Sequence, residues 1–214
     1  MTVISKDEFI EIVGIAVESI LENEQYFCDL DSVAGDGDFG TSLAKGFSEV
    51  KSKWKDLEKS NVGTFLRDCS MIIMEKCGGA SGPIWGNAFL SASRVSKGKE
   101  SLEIADIAEL FQAMVDGVQK VGKAELGDKT LLDSLIPFKD SLKESAKLNE
   151  SIEEAFEKAV TRAEEGAEST KTIVATKGRA RYLGDRSIGA YDAGARAVAV
   201  ILSDIQKSFF EKAK

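Results

Sequence analysis

Histidine is absent from the 214 residues. With it go imidazole general bases, phosphohistidine relays and histidine-ligated zinc or iron. Any chemistry must therefore run on carboxylates, backbone amides, lysine and arginine, hydroxyls or a bound metal. Cysteine is scarce as well. Cys28, Cys69 and Cys77 are odd in number and lack paired-ligand spacing, so three free thiols in a reducing compartment are expected. No apolar run approaches the roughly 18–20 residues of a membrane span, so no membrane association is expected. Met1 to Lys6 offers no basic region leading into an apolar stretch, so no secretory leader is expected and a cytoplasmic location is. A basic surface is lacking too. The net charge of −8 argues against nucleic acid, whose phosphates call for positive charge and counterion release.

What is present is helical periodicity, over a length that suits one domain, residues 1–214. Ser5 with Glu8 forms a capping-box pattern ahead of a stripe of Phe9, Val13, Ala16, Val17 and Ile20. Leu43, Phe47, Val50 and Trp54 mark a second helix, and Phe65, Leu66, Cys69 and Ile73 a third. A fourth runs from Ile84 through Phe89 to Ala92. Ser101 precedes the fifth, with Ile104, Ile107, Ala108, Phe111 and Val115 on its stripe. Leu131, Leu135, Phe138 and Leu142 mark the sixth, which Pro137 is expected to bend or interrupt. Ile152, Phe156, Ala159 and Ala163 mark the seventh, and Ala195 to Phe209 the eighth. Only Thr172–Thr176 has strand character. The expectation is all-α, with eight helices and essentially no sheet.

The connections fall into two kinds. Those around Leu57–Asn61, Ser96–Ser101 and Ala146–Glu150 are short and polar. The other four are glycine-rich: LDSVAGDGDFG, CGGASGP, GKAELGDKT and KGRARYLGDRSIGAYDAGA. Short connections favour antiparallel neighbours. In an up-down bundle every odd-to-even connection lies at the same end, so the four glycine loops should meet at one rim.

Within the first of these loops, Asp31, Asp36 and Asp38 bring three carboxylates close in sequence. Two charges about 4 Å apart repel by roughly 1 kcal/mol in water and about 4 kcal/mol at an effective dielectric of 20. Such a cluster either binds a cation or splays into solvent. Oxygen-only ligation favours Mg²⁺ or Ca²⁺ over zinc. An EF-hand frame fails, because counting from Asp29 puts Gly40 where the bidentate glutamate belongs. Gly78 to Pro83 runs straight into a helix, and Gly40, Thr41 and Ser42 open another; each is either a tight turn and cap or a place where backbone amides meet an anion. Gly127–Asp128–Lys129–Thr130 resembles part of a phosphate loop without its full spacing. Lys177, Arg179, Arg181 and Arg186 are either a surface salt-bridge cluster or the basic side of a polyphosphate site. Cys77, beside a glycine loop, is read as a buried structural thiol, and Trp54 and Trp85 as packing.

Taken together, LDSVAGDGDFG, GGASGP, GKAELGDKT, KGRARYLGDRSIG and DAGA, in this order from Leu30 to Ala195, resemble the L subunits of bacterial dihydroxyacetone kinases. Those are equivalent to the nucleotide-binding domain of the fused ATP-dependent enzymes. The resemblance implies an eight-helix antiparallel barrel whose open rim binds ADP or ATP through two Mg²⁺ ions. By motif match, Asp31, Asp36 and Asp38 would hold the metal. Nucleotide contacts would fall at Phe39, Gly40, Thr41, Ser42, Ala80, Ser81, Gly122, Leu131, Gly178, Tyr191, Asp192 and Ala193. A separate K subunit would hold the ketose through a histidine, and a phosphotransferase-system M subunit would rephosphorylate the bound ADP. The chain departs from the family pattern in carrying Phe39 for histidine and Ser42 for asparagine. It also has Ala190-Tyr191-Asp192-Ala193-Gly194-Ala195 in place of His-x-Asp-Pro-Gly-Ala. Alternatives to a dihydroxyacetone kinase subunit are a paralogue serving another small ketose, such as a ketotetrose, a non-catalytic nucleotide sensor, or a plain Ca²⁺-binding helical module.

Overall fold

A computed structural model describes residues 1–211. Among them are nine α-helices: α1 (Lys6–Glu22), α2 (Glu24–Ser32), α3 (Phe39–Ser52), α4 (Val62–Lys76), α5 (Ser81–Val95), α6 (Ile104–Gly122), α7 (Leu132–Lys147), α8 (Ile152–Ser169) and α9 (Ala193–Ile205). A π-helical turn, Gln206–Phe210, extends α9. Helix neighbours follow the chain from α3 through α4, α5, α6, α7 and α8 to α9, while α1 packs on both α3 and α9 and so closes the order. The buried side chains lie between these helices and form one large cluster.

Three features differ from expectation. The ninth helix is α2, which takes up Asp29 to Ser32, stretches of sequence that read as loop. Asn23 ends α1, with its backbone N–H and its side-chain amide both donating to the Ser19 carbonyl (3.1 and 2.9 Å). Phe27 is the sole buried residue of α2, so no apolar stripe advertises this helix. A small sheet also exists. Strands β1 (Val3–Ser5) and β2 (Ser101–Glu103) pair antiparallel with Ile4 opposite Leu102, both buried. In Thr172–Thr176, by contrast, no strand forms: Thr172 ends a 3₁₀ turn and the following residues are irregular.

Pro137 lies inside α7 without ending it. Having no N–H, it offers nothing to the carbonyl one turn back, that of Asp133. Gly166 of α8 occupies the space beside this carbonyl, where an added Cβ would sit 2.0 Å from the Asp133 oxygen. The close approach lets Phe138 of α7 meet Phe156 of α8 edge-on (centroids 5.3 Å apart) and Phe111 of α6 at 4.7 Å, contacts that add about 0.5–1.5 kcal/mol beyond burial. Replacing Gly166 by alanine should cost about 1–3 kcal/mol through overpacking, read by thermal or urea denaturation. An unchanged melting temperature would refute the backbone contact.

The two ends of the bundle are tied differently. At one end the polar connections and β1–β2 are sewn together: Val62 N–H donates to Lys99 O (2.9 Å), Lys6 N–H to Glu100 O (2.8 Å) and Ile152 N–H to Met1 O (2.9 Å). The helices that start there have side-chain caps: Ser5 for α1, Asn61 for α4 and Ser151 for α8, with Asp106 accepting from the Glu103 N–H at α6. At the other end the glycine loops meet. Gly78 N–H donates to Ser42 O (3.4 Å), joining the second loop to the first. Arg179 of the fourth loop reaches Asp36 and Asp38 of the first, and Lys177 of the fourth lies 4.0 Å from Asp128 of the third. The convergence expected from loop lengths is present.

Candidate functional site

Asp31 stands in the last turn of α2, while Asp36 and Asp38 lie on the connection to α3. Glycine makes this turn possible. Gly37 has φ +74° and its N–H donates to Asp31 Oδ2 (2.9 Å), and a Cβ at Gly35 would sit 2.2 Å from Asp31 Oδ1. The chain thus folds over the Asp31 carboxylate, leaving each of the three residues one oxygen within 4.8 Å of the others. Oxygens around a six-coordinate Mg²⁺ lie about 3–4 Å apart, given metal–oxygen distances near 2.1 Å. This all-carboxylate set therefore fits a hard divalent cation. The guanidinium of Arg179 bonds Asp36 directly and lies 3.6 Å from Asp38.

Beside the carboxylates are helix N-termini whose N–H groups no side chain takes up. Asp38 at the start of α3 and Ala80 at the start of α5 make no side-chain capping bond. Thr41 does not cap either; its hydroxyl faces Cys28 Sγ at 3.5 Å. Unlike the capped helices at the opposite end, α3 and α5 keep first-turn amides of the kind that can bind an anion. Ala80 and Ser81 open α5, and Phe39 to Ser42 form the first turn of α3, so these two groups of anticipated residues flank the acidic loop. Gly122 ends α6, Leu131 precedes α7 and packs beside Gly194, and Gly178 (φ +61°) neighbours Arg179.

Several anticipated residues also make contacts within the chain. The Phe39 ring packs on Phe27 (centroids 6.2 Å apart), half-buried against the core. Gly40 is buried, and its role is packing: an added Cβ would lie 2.0 Å from Glu24 O. Tyr191 bonds Glu168 and lies under the Lys171 ammonium, 4.3 Å from the ring centroid. Asp192 caps α9 by accepting from Ala195 N–H (2.7 Å). Desolvation pushes its carboxyl up to about 7, and the nearby Asp133 adds to the shift. Ala193 is the first residue of α9. Of the four basic residues in the last loop, only Arg179 reaches the acidic loop; Lys177 is 4.0 Å from Asp128 and Arg181 stacks on Tyr182. Cys77 is buried, its thiol raised to about 11 by burial, as befits packing.

A brace in the third loop was invisible to motif reading. The Lys129 ammonium is buried and donates to backbone carbonyls, so the Gly127–Thr130 segment does not present its lysine as a phosphate loop does. Asp133 accepts from Gly127 N–H and Thr130 N–H, both at 2.7 Å, and thereby shapes the loop that carries Lys129. The available signal was Thr130–Asp133, a hydroxyl residue three before a carboxylate, which is the spacing of a helix start.

Known proteins resemble this chain along most of its length. Residues 33–207 match the family model described as DAK2 domain. The chain is 39% identical over 178 residues, 83% of this chain and 85% of the relative, to the ADP-binding subunit DhaL of the PEP-dependent dihydroxyacetone kinase of Escherichia coli K12. It is 36% identical over 199 residues, 93% of this chain and 95% of the relative, to the ADP-binding subunit DhaL of the PTS-dependent dihydroxyacetone kinase of Lactococcus lactis. The fold is shared with the dihydroxyacetone kinase of C. freundii, whose crystal structures are of the native form and of a complex with AMP-PNP and Mg²⁺. TM-scores are 0.75 and 0.72 at 24% identity, covering 93% of this chain but only 34% and 33% of the longer one. With a family match running from the acidic loop to the end of α9, and relatives aligned along most of their own length, the chain belongs to the DAK2 domain family.

Proposed function

We propose that this chain is the Mg-nucleotide-binding subunit of a dihydroxyacetone kinase, active in phosphoryl transfer to a ketose held by a separate K subunit. The observation that carries the reading is the meeting of three carboxylates, the Arg179 guanidinium and the uncapped start of α3, against which Gly78, just before α5, is packed. Asp31, Asp36 and Asp38 would hold two Mg²⁺ ions, which when bound neutralise the phosphate charge. The first-turn amides of α3 and α5 supply donors for phosphate oxygens, and Arg179 adds a further positive charge. Phe39 to Ser42, Ala80, Ser81, Gly122, Leu131, Gly178 and Tyr191 to Ala193 border the nucleotide. No side chain here is assigned as general base, and without histidine the chain cannot hold the ketose as the K subunit would.

Relatives described as PEP- or PTS-dependent favour ADP as a resident nucleotide, rephosphorylated by a phosphotransferase-system M subunit. None of the helices in the described residues is long and apolar enough to cross a membrane, which fits a subunit working in the cytoplasm. Calorimetry of ADP with and without Mg²⁺, followed by an assay combining the K subunit, dihydroxyacetone and either ATP or the phosphotransferase components, tests the proposal. Metal-dependent ADP binding and turnover only with the K subunit are expected. Tight ADP binding without turnover under either donor would instead identify a sensor.

A further inference from the structure

We propose that Lys129 is a positioning residue: its ammonium pins both ends of the 173–190 loop and so holds Arg179 beside Asp36 and Asp38. The inference rests on the proposed Mg-nucleotide site for its meaning, but not for its geometry. Lys129 is 2% exposed and has a left-handed backbone (φ +61°), a conformation that a side chain with Cβ adopts only when its surroundings require it. Its Nζ donates to Ile173 O (3.3 Å), Ser187 O (2.5 Å) and Ala190 O (2.9 Å). An ammonium has three N–H donors, and all three are used. One carbonyl comes from the start of the loop and two from its end.

No large apolar side chain of this segment is fully buried. Tyr182 is 73% exposed and Ile188 48%, while Ile173, Val174 and Leu183 are only half-buried. Its 3₁₀ stretch, Ala180–Ser187, is broken at Gly184 (φ +55°). The other ties are polar: Thr176 and Lys177 to Asp128, Gly189 N–H to Lys171 O (2.8 Å), and the Ser187 hydroxyl, which accepts from Ala175 N–H (3.0 Å) and donates to Gly184 O (2.7 Å). A segment with few buried apolar contacts opens readily unless such bonds restrain it. Arg179 lies between the pinned ends and does not touch Lys129. It meets carboxylates more than a hundred residues away in sequence, so its placement depends on the base of its loop.

The test compares Lys129→Met, Arg179→Met and the double variant with the parent chain, using ADP–Mg²⁺ calorimetry and the rate of tryptic cleavage within residues 177–186. Lys129→Met should keep its helix content by circular dichroism, be cut about tenfold faster in that segment and bind ADP about tenfold more weakly, the scale of losing charged hydrogen bonds. Because Lys129 acts through Arg179, the double variant should bind no more weakly than the weaker single one. Additive losses would overturn the proposal in favour of a direct phosphate contact. A loss of thermal stability with unchanged cleavage and affinity would reduce Lys129 to fold maintenance, also against it. Should Lys129→Met not fold, Lys129→Gln keeps a polar head and is judged by the same two readouts. If the parent chain binds no ADP, the functional proposal fails, while the cleavage rates, which need no nucleotide, still decide the clamp.

Discussion

Alanine at both Asp36 and Asp38 should weaken Mg²⁺-dependent ADP binding by at least about a hundredfold, a loss near 2.7 kcal/mol, with helix content unchanged. Both residues are exposed and lie outside the core cluster, so their removal leaves apolar packing intact. Their stability effect should stay within about 0.5 kcal/mol, as for surface substitutions. Two opposing changes underlie that: removing the carboxylates relieves their mutual repulsion, and Arg179 loses its exposed partners, worth about 0–1 kcal/mol. The metal set is left with Asp31 alone, one monodentate carboxylate. Titration calorimetry with Mg²⁺ and ADP, alongside a thermal melt, separates the two effects. Retention of the parent affinity would remove the acidic loop from the site.

Gly40→Ala should damage the same site through the fold. The Cβ it adds would lie 2.0 Å from Glu24 O and 2.9 Å from the backbone N and Sγ of Cys28, so α2 has to move away from α3. Backbone cannot yield as a side-chain tip does, and overpacking of this kind costs about 1–3 kcal/mol. For a chain of this size that lowers the melting temperature by roughly 2–12 °C. Because α2 carries Asp31 and is anchored by one buried ring, Phe27, its shift should separate Asp31 from Asp36 and Asp38. A fall in Mg²⁺ affinity is therefore expected alongside the stability loss, unlike the double aspartate variant, which leaves the melt alone. A lowered melting temperature with unchanged metal affinity would show that α2 moves without carrying Asp31 off the set.

Much of this arrangement was legible in sequence because its signals are local. The stripe Phe9–Val13–Val17–Ile20 and the Ser5–Glu8 box need only one turn of helix to be read, and both occur as expected. Asp31, Asp36 and Asp38 are near neighbours in the chain, so glycine-bent backbone suffices to bring them together. Even the shared rim followed from counting short connections. The relationship to dihydroxyacetone kinase L subunits, too, is legible in the glycine loops.

What only the tertiary structure decided depends on distant partners. Helix α2 has one buried residue and packs its backbone closely on Gly40 of α3. Strands β1 and β2 are three residues each and separated by about a hundred positions, too short to show a period of two. Phe39 is turned to Phe27 by core packing, and Lys129 to the loop carbonyls by burial, although each stands in a motif that suggests a ligand. Periodicity and spacing report what a segment does with its own neighbours. Where a side chain points when two segments compete for it is settled by burial and by the need to satisfy every buried polar group.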